Sequence, residues 1–221
     1  MAHGLAAVSR VHPGIDAALR ATRFVVFDFE ALVRADVDPA PTDLGAVEVS
    51  LEAGISRRFS QLIRPRADVS FSPFDISLTG IRPEDVASAP SPESVMADFD
   101  AWIGDAPFVA VAHNAMFDLG VARPFAASCP RLFAAPCVCT VALGRAAVPG
   151  WPSYALDAVT QRLGIRFKGR RHRALPDAEA TAEALLRFLE IAAQERGRVL
   201  HAEIMEWGAV ASPEVEAPRL L

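Results

Sequence analysis

The chain has 221 residues, 52% hydrophobic and 22% charged, with a formal net charge of −5, and a single domain of that length buries about 70% of the surface its unfolded form exposes. The acidic balance argues against a protein that coats nucleic acid non-specifically, which needs clustered Lys and Arg, but leaves room for an enzyme gripping a few nucleotides. Three cysteines, Cys129, Cys137 and Cys139, are an odd count and not the paired framework of a small secreted domain, so a reducing, cytoplasmic setting is expected and they are assigned no role.

The first twenty residues lack a basic start followed by an apolar run, and no apolar stretch reaches membrane-spanning length, so neither a leader nor a membrane partner is expected. Phe24 to Glu30, aromatic and β-branched with no polar face before Asp28, reads as a central strand buried on both sides. A loop follows from Asp36 to Asp43. Leu44 to Ser50 and Ile55 to Ile63 read as a hairpin joined by Leu51-Glu-Ala-Gly54. Pro65, Pro73, Pro83, Pro90 and Pro92 then punctuate a loop-rich stretch, with a short helix from Pro83 and a fuller one from Glu93 to Ile103. Pro107 to Ala112 is a second short apolar strand, followed by a helical pattern from Asn114 to about Arg123 that Pro124 ends or kinks. The chain loops through Pro130 and Pro136. Tyr154 to Leu163 is helical and ends at Gly164. The longest helix opens at Asp177 and runs to about Glu195, with Ala182, Leu185, Leu186 and Leu189 on one face. The residues from Gly208 read as a tail. The division expected is an extension over residues 1–22, a catalytic domain over 23–196, and a helix end and tail over 197–221.

Asp28 and Glu30 are two apart on the first strand, so their side chains leave the same face. Two ionised carboxylates in a desolvated sheet repel one another, and hard divalent cations bound through oxygen are the usual compensation. Alone, the pair also fits a solvated strand end. His113-Asn-Ala-Met-Phe-Asp118 follows the second apolar strand directly, and Asn114 and Asp118, four apart, share a helix face; Asn114 is equally suited to capping that helix. In Gly169-Arg-Arg-His-Arg-Ala-Leu-Pro-Asp177 a histidine precedes an aspartate by five residues. Histidine is the side chain best suited to take a proton near neutral pH, so His172 in a loop beside an attacking water is a candidate base, while Asp177 also fits ordinary helix capping. Each bland reading explains one residue and none explains the set.

The ordered set Asp28-x-Glu30, His113-Asn-x-x-Phe-Asp118, His172 and Asp177 resembles the DEDDh branch of the 3′-to-5′ exonucleases, which includes the epsilon-like proofreading subunits of bacterial replicative polymerases and RNA-trimming enzymes. The resemblance covers about Phe24 to Leu189, including Leu78-Thr-Gly-Ile81 ahead of Pro83-Glu-Asp-Val86 and Ala155-Leu-Asp157 ahead of Leu163-Gly164-Ile165. It implies an α/β, ribonuclease-H-like mixed sheet flanked by helices. It also implies two Mg²⁺ or Mn²⁺ ions on Asp28, Glu30, Asp118 and Asp177, with His172 as general base. The implied activity releases nucleoside 5′-monophosphates from the 3′ end of single-stranded DNA or RNA, DNA being favoured, although nothing locates a 2′-hydroxyl contact.

Ala31 and Leu32 stand where proofreading members usually carry Thr after the glutamate, and Thr79 where many relatives place His before Gly80, so these positions bear on substrate choice. With Asn114, Phe117 and Arg171 they make up the expected substrate contacts; Phe117 also fits a core position. Arg166, Lys168, Arg170, Arg171 and Arg173 surround His172 and are read as steering phosphate, or as a solvated loop. Two other functions fit the chain: a catalytically silent binding module of the same fold, and a proofreading subunit working beside a DNA polymerase. Only Trp207 and Leu220-Leu221 offer apolar docking material near the C-terminus. Oligomeric state is open.

Overall fold

A computed structural model describes residues 11–35 and 37–210. Its elements run in the order α1 (Ala17–Ala21), β1 (Phe24–Arg34), β2 (Val37–Ser50), β3 (Gly54–Leu62), α2 (Pro73–Thr79), α3 (Pro83–Val86), α4 (Pro92–Ile103), β4 (Val109–Ala112), α5 (Ala115–Ala122), a 3₁₀ turn (Arg123–Ser128), α6 (Pro130–Ala134), β5 (Cys137–Cys139), α7 (Thr140–Ala147), α8 (Leu156–Leu163), α9 (Ala174–Arg196) and α10 (His201–Trp207). The five strands form one mixed sheet in the order β3-β2-β1-β4-β5. β2 runs antiparallel to both β1 and β3, whereas β4 runs parallel to β1 and β5 parallel to β4.

Alternation along β1 divides the core in two. Phe24 and Val26 point to one face, where Val47, Val49 and Val111 meet Leu185, Phe188 and Leu189 of α9. Val25, Phe27 and Phe29 point to the other, against Val95, Met96 and Phe99 of α4 and Leu119 of α5. Both faces of the central strand are therefore covered, as its unbroken apolar run requires. Ile15 before α1 and Ile204 of α10 join the α9-side core, and Ile15 bridges to Val199, so the described ends of the chain pack on the same body. Trp207 lies beneath the Arg196 guanidinium, 4.2 Å from its ring centroid. Leu220 and Leu221 lie outside the described residues.

Several local expectations change. The stretch from 37 to 43, expected as a loop, belongs to β2, and β1 continues to Arg34: Ala31 pairs with Pro41, Leu32 with Ala40 and Arg34 with Val37, across two register shifts. β3 pairs with β2 only from Asp43 onward, so Pro39 and Pro41 occupy an edge, where a missing N–H is tolerated. Pro73, expected in a loop, starts α2 at a first-turn position behind the Ser72 cap. Pro130 likewise opens α6. The run after Pro136 supplies β5, whose three residues are too few to show a period. α9 begins at Ala174, three residues before Asp177, because Pro176 falls in the first turn, where no intrahelical amide bond is lost. α10 is a separate helix in the segment expected to hold only a helix end and a tail.

Candidate active site

β1 outruns its parallel neighbour. β4 pairs with Phe24, Val25 and Val26 and then ends at Ala112, so beyond Val26 the β4-side edge of β1 is open. The chain after β4 fills that gap. Asn114 adopts left-handed φ 64°, with no side-chain cap bond, a conformation Asn tolerates better than most residues. This turn starts α5, whose Asp118 is 1% exposed and accepts the Phe29 amide at 2.9 Å. Asp118 thus lies between Asp28 and Glu30 along β1.

The fourth acidic position arrives from the opposite side. Gly45 on β2 lets α9 press onto the sheet: a Cβ there would lie 2.1 Å from the Leu175 amide nitrogen. Beside it Asp43, 1% exposed, accepts from Arg173 Nε at 2.8 Å and from the Ala174 amide at 3.3 Å. It thereby caps a helix whose own N-cap residue, Arg173, offers no side-chain bond. Asp177, one turn into α9 and 2% exposed, is fixed by that anchor. The loop before α9 holds His172 at φ 60°, a conformation costing about 1–2 kcal/mol for such a residue. Flanking arginines offset that strain. Arg170 donates to Ser77 O at 3.0 Å, Arg171 to Asp157 Oδ1 at 2.7 Å, and Arg173 to Asp43.

This changes the reading of the basic cluster. Arg170, Arg173 and Lys168, which pairs with Glu183 at 2.9 Å, are engaged by the protein itself. Arg171 alone of the five lines the cleft, where it pairs with Asp177, and its guanidinium lies 5.3 Å from the Phe167 ring centroid.

Asp28, Glu30, Asp118, Asp177 and His172 meet in a cleft of about 920 Å³. Glu30, His172 and Asp177 bring ligand atoms within 4.8 Å of one another. Burial, then repulsion from Asp118, Asp177 and Glu30, pushes the Asp28 carboxyl well above its ordinary range. Burial followed by Asp177 and Asp43 pushes Glu30 up to about 8. Burial raises Asp118, against the Phe29 amide bond, and raises Asp177 to about 6 against the pull of Arg171. Four carboxyl groups that resist ionising together would be relieved by bound cations. Asp177 Oδ1 is moreover buried without a hydrogen-bond partner, so the residues fit divalent metal. Burial and then Arg171 lower His172 from its ordinary value, which favours the uncharged imidazole.

The expected substrate contacts divide. Ala31, Asn114, Phe117 and Arg171 line the cleft. Leu32 and Thr79 do not: Leu32 is 2% exposed and packs with Ala40 and Val69, and the Thr79 hydroxyl donates to Asp75 O at 3.0 Å while accepting from the Ile81 amide. Of the six, only the first four therefore face the cleft. Missing from the expected set are Asp43, Phe74 and Trp151. Asp43 is a lone acid between apolar runs, and no local pattern reveals that it faces a loop 130 residues away.

A family model for exonucleases of the RNase T type matches residues 25–185. A DNA polymerase III PolC-type protein of Bacillus subtilis (strain 168) is 34% identical over 185 residues, covering 83% of this chain and 12% of the relative, so the chain spans about an eighth of that protein's length. Among solved structures, Exonuclease X in complex with 5′ overhanging duplex DNA superposes with TM-score 0.62 at 24% identity, covering 84% of this chain and 97% of that one. The nuclease domain of 3′hExo, a DEDDh family member bound to rAMP, superposes with TM-score 0.63 at 19% identity, covering 76% and 91%. Both share the mixed-sheet fold described above.

Proposed function

Because this chain belongs to the RNase T exonuclease family, we propose that it is a metal-dependent 3′-to-5′ exonuclease that releases nucleoside 5′-monophosphates from single-stranded nucleic acid, DNA in preference to RNA. The observation that carries the reading is the convergence of Asp28, Glu30, Asp118 and Asp177 with His172 on the floor of one cleft. The four carboxylates would hold two divalent cations, Mg²⁺ or Mn²⁺. When bound, such a pair supplies stabilisation of negative charge on the attacking and leaving oxygens of an in-line phosphoryl displacement.

The protein's own groups do the rest. His172, held in place by its arginine neighbours, takes the proton of the water that attacks phosphorus; the bond to the 3′ oxygen of the preceding nucleotide breaks, and that oxygen is protonated from His172 or from solvent. Asn114 and Phe117 line the wall beside Asp118, positioned to hold the terminal nucleotide, and Arg171 offers its guanidinium to the phosphate. The preference for DNA rests on the polymerase relative.

A second reading, proofreading beside a DNA polymerase, is favoured by that same similarity. It predicts co-purification with a polymerase and faster removal of a mismatched than a matched primer end. No helix among the described residues is long and apolar enough to cross a membrane. The test of the main reading is a 5′-labelled single strand with Mg²⁺. Stepwise shortening from the 3′ end that chelator abolishes supports it, and cleavage of a circular strand contradicts it.

A further inference from the structure

His172 has a second chemistry open to it. Among the described residues, one group of three His, Cys, Asp or Glu side chains brings its ligand atoms within 4.8 Å of one another: Glu30, His172 and Asp177. Asp28 and Asp118 stand outside this trio, so it is a different set from the four carboxylates. Its members come from β1, from the loop before α9 and from the start of α9 itself. Ligand atoms bonded at about 2.0–2.2 Å to one tetrahedral ion lie about 3.3–3.6 Å apart. A closure of about 1–1.5 Å at most therefore brings the three onto a single cation.

The donors are built in. Asp177 is 2% exposed; Arg171 takes its Oδ2, and its Oδ1 is buried with no hydrogen-bond partner. His172 is held at φ 60° by a loop that Arg170 ties to Ser77 O and Arg173 ties to Asp43, so the imidazole is presented by fixed backbone. Glu30 sits on the central strand, paired with Asp43 of β2. The three differ from the four carboxylates in one respect that decides which ion they suit, the presence of a nitrogen ligand. Mg²⁺ demands near-octahedral oxygen coordination and keeps several waters. Zn²⁺ takes imidazole nitrogen and carboxylate oxygen together, with three protein ligands and water at the fourth position. Zn²⁺ and Co²⁺ also bind such sites more tightly than Mn²⁺ does.

We propose that Glu30, His172 and Asp177 form an inhibitory site for Zn²⁺ and similar cations, in which His172 binds the metal through nitrogen and is withdrawn from the attacking water. Glu30 and Asp177 then serve two alternative ligand sets. With hard cations they act beside Asp28 and Asp118 and leave the imidazole free; with Zn²⁺ they act beside His172, whose lone pair the metal takes. The inhibition rests on the exonuclease reading above, whereas the binding does not.

The test titrates the full chain, stripped of metal, with Zn²⁺ by calorimetry and with Co²⁺ by visible absorption, neither of which depends on cleavage. Wild type should take up Zn²⁺ and give the intense absorption of four-coordinate cobalt. His172→Ala should lose at least about 10- to 100-fold in Zn²⁺ affinity, the loss that follows removal of a mere supporting partner of a ligand, and should lose the four-coordinate band. Its unchanged Mn²⁺ uptake would report an intact fold. Asp118→Asn should keep its Zn²⁺, because Asp118 is outside the trio. Equal Zn²⁺ affinity in wild type and His172→Ala, or a weak six-coordinate cobalt spectrum in the wild type, overturns the proposal. A 5′-labelled single strand with Mg²⁺ then tests the inhibition. Shortening should stop as Zn²⁺ fills the site and resume with a zinc-selective chelator; shortening that continues with the site filled overturns the inhibitory role. A strand never shortened even before Zn²⁺ is added refutes the nuclease reading and leaves the metal site standing.

Discussion

Raising the pH should destabilise this protein when divalent cations are withheld. Glu30 keeps its proton to about 8 in the folded chain, against an ordinary 4.5. Between those two values the folded state binds more protons than the unfolded one, so stability falls as pH rises. A shift of that size corresponds to about 5 kcal/mol, comparable with the lower end of the total stability of a domain, about 5–15 kcal/mol. Asp177, raised from 3.8 to about 6, acts in the lower part of the same window. Because Asp177 is itself one of the groups that raise Glu30, the two contributions do not add in full. The assay is urea unfolding in chelator at pH 5 and pH 8. Wild type should lose several kcal/mol over that interval, Glu30→Gln should lose less, the remainder coming from Asp28 and Asp118, and saturating Mn²⁺ should restore the wild type at pH 8 by binding only the folded form. Stability in chelator that is flat or rising from pH 5 to 8, or an equal loss in Glu30→Gln, refutes the reasoning.

His172→Ala should lower kcat by about 10²- to 10⁴-fold while Mn²⁺ uptake by calorimetry is retained; loss of uptake would make His172 a ligand instead of a base. Asp43→Ala should cost about 1–3 kcal/mol in urea unfolding, because it strips the buried acceptor from Arg173 and from the first amide of α9; a cost below about 0.5 kcal/mol would deny it the anchoring role. Arg171→Gln should bind Mn²⁺ more tightly, since Asp177 loses its guanidinium partner. Its oligonucleotide affinity should depend less on salt, by about one unit in the logarithmic slope. An unchanged slope would remove Arg171 from the phosphate path.

The carboxylates were legible in the sequence because each is tied to a local pattern: Asp28 and Glu30 to an apolar strand that admits no other polar residue, and Asp118 to the turn after a second such strand. Asp177 and His172 were legible by their spacing. The edge part of β2 was hidden because Pro39 and Pro41 signal a loop unless the pairing partner is known. β5 was hidden by its length of three residues. The basic run around His172 suggested phosphate binding, yet most of it anchors the loop, a role that depends on Ser77, Asp43 and Glu183, acceptors from three different elements. Phe74 gave no signal at all, since an exposed ring is indistinguishable from a core ring until burial is known.

The central claim is that Asp28, Glu30, Asp118 and Asp177 together hold a pair of divalent cations. Calorimetric titration of the full chain with Mn²⁺ at pH 8 tests it most directly. Two ions per chain in the wild type, with at least one lost in Asp118→Asn and in Asp177→Asn, is the predicted result. No uptake, or uptake unaltered by either substitution, would contradict it.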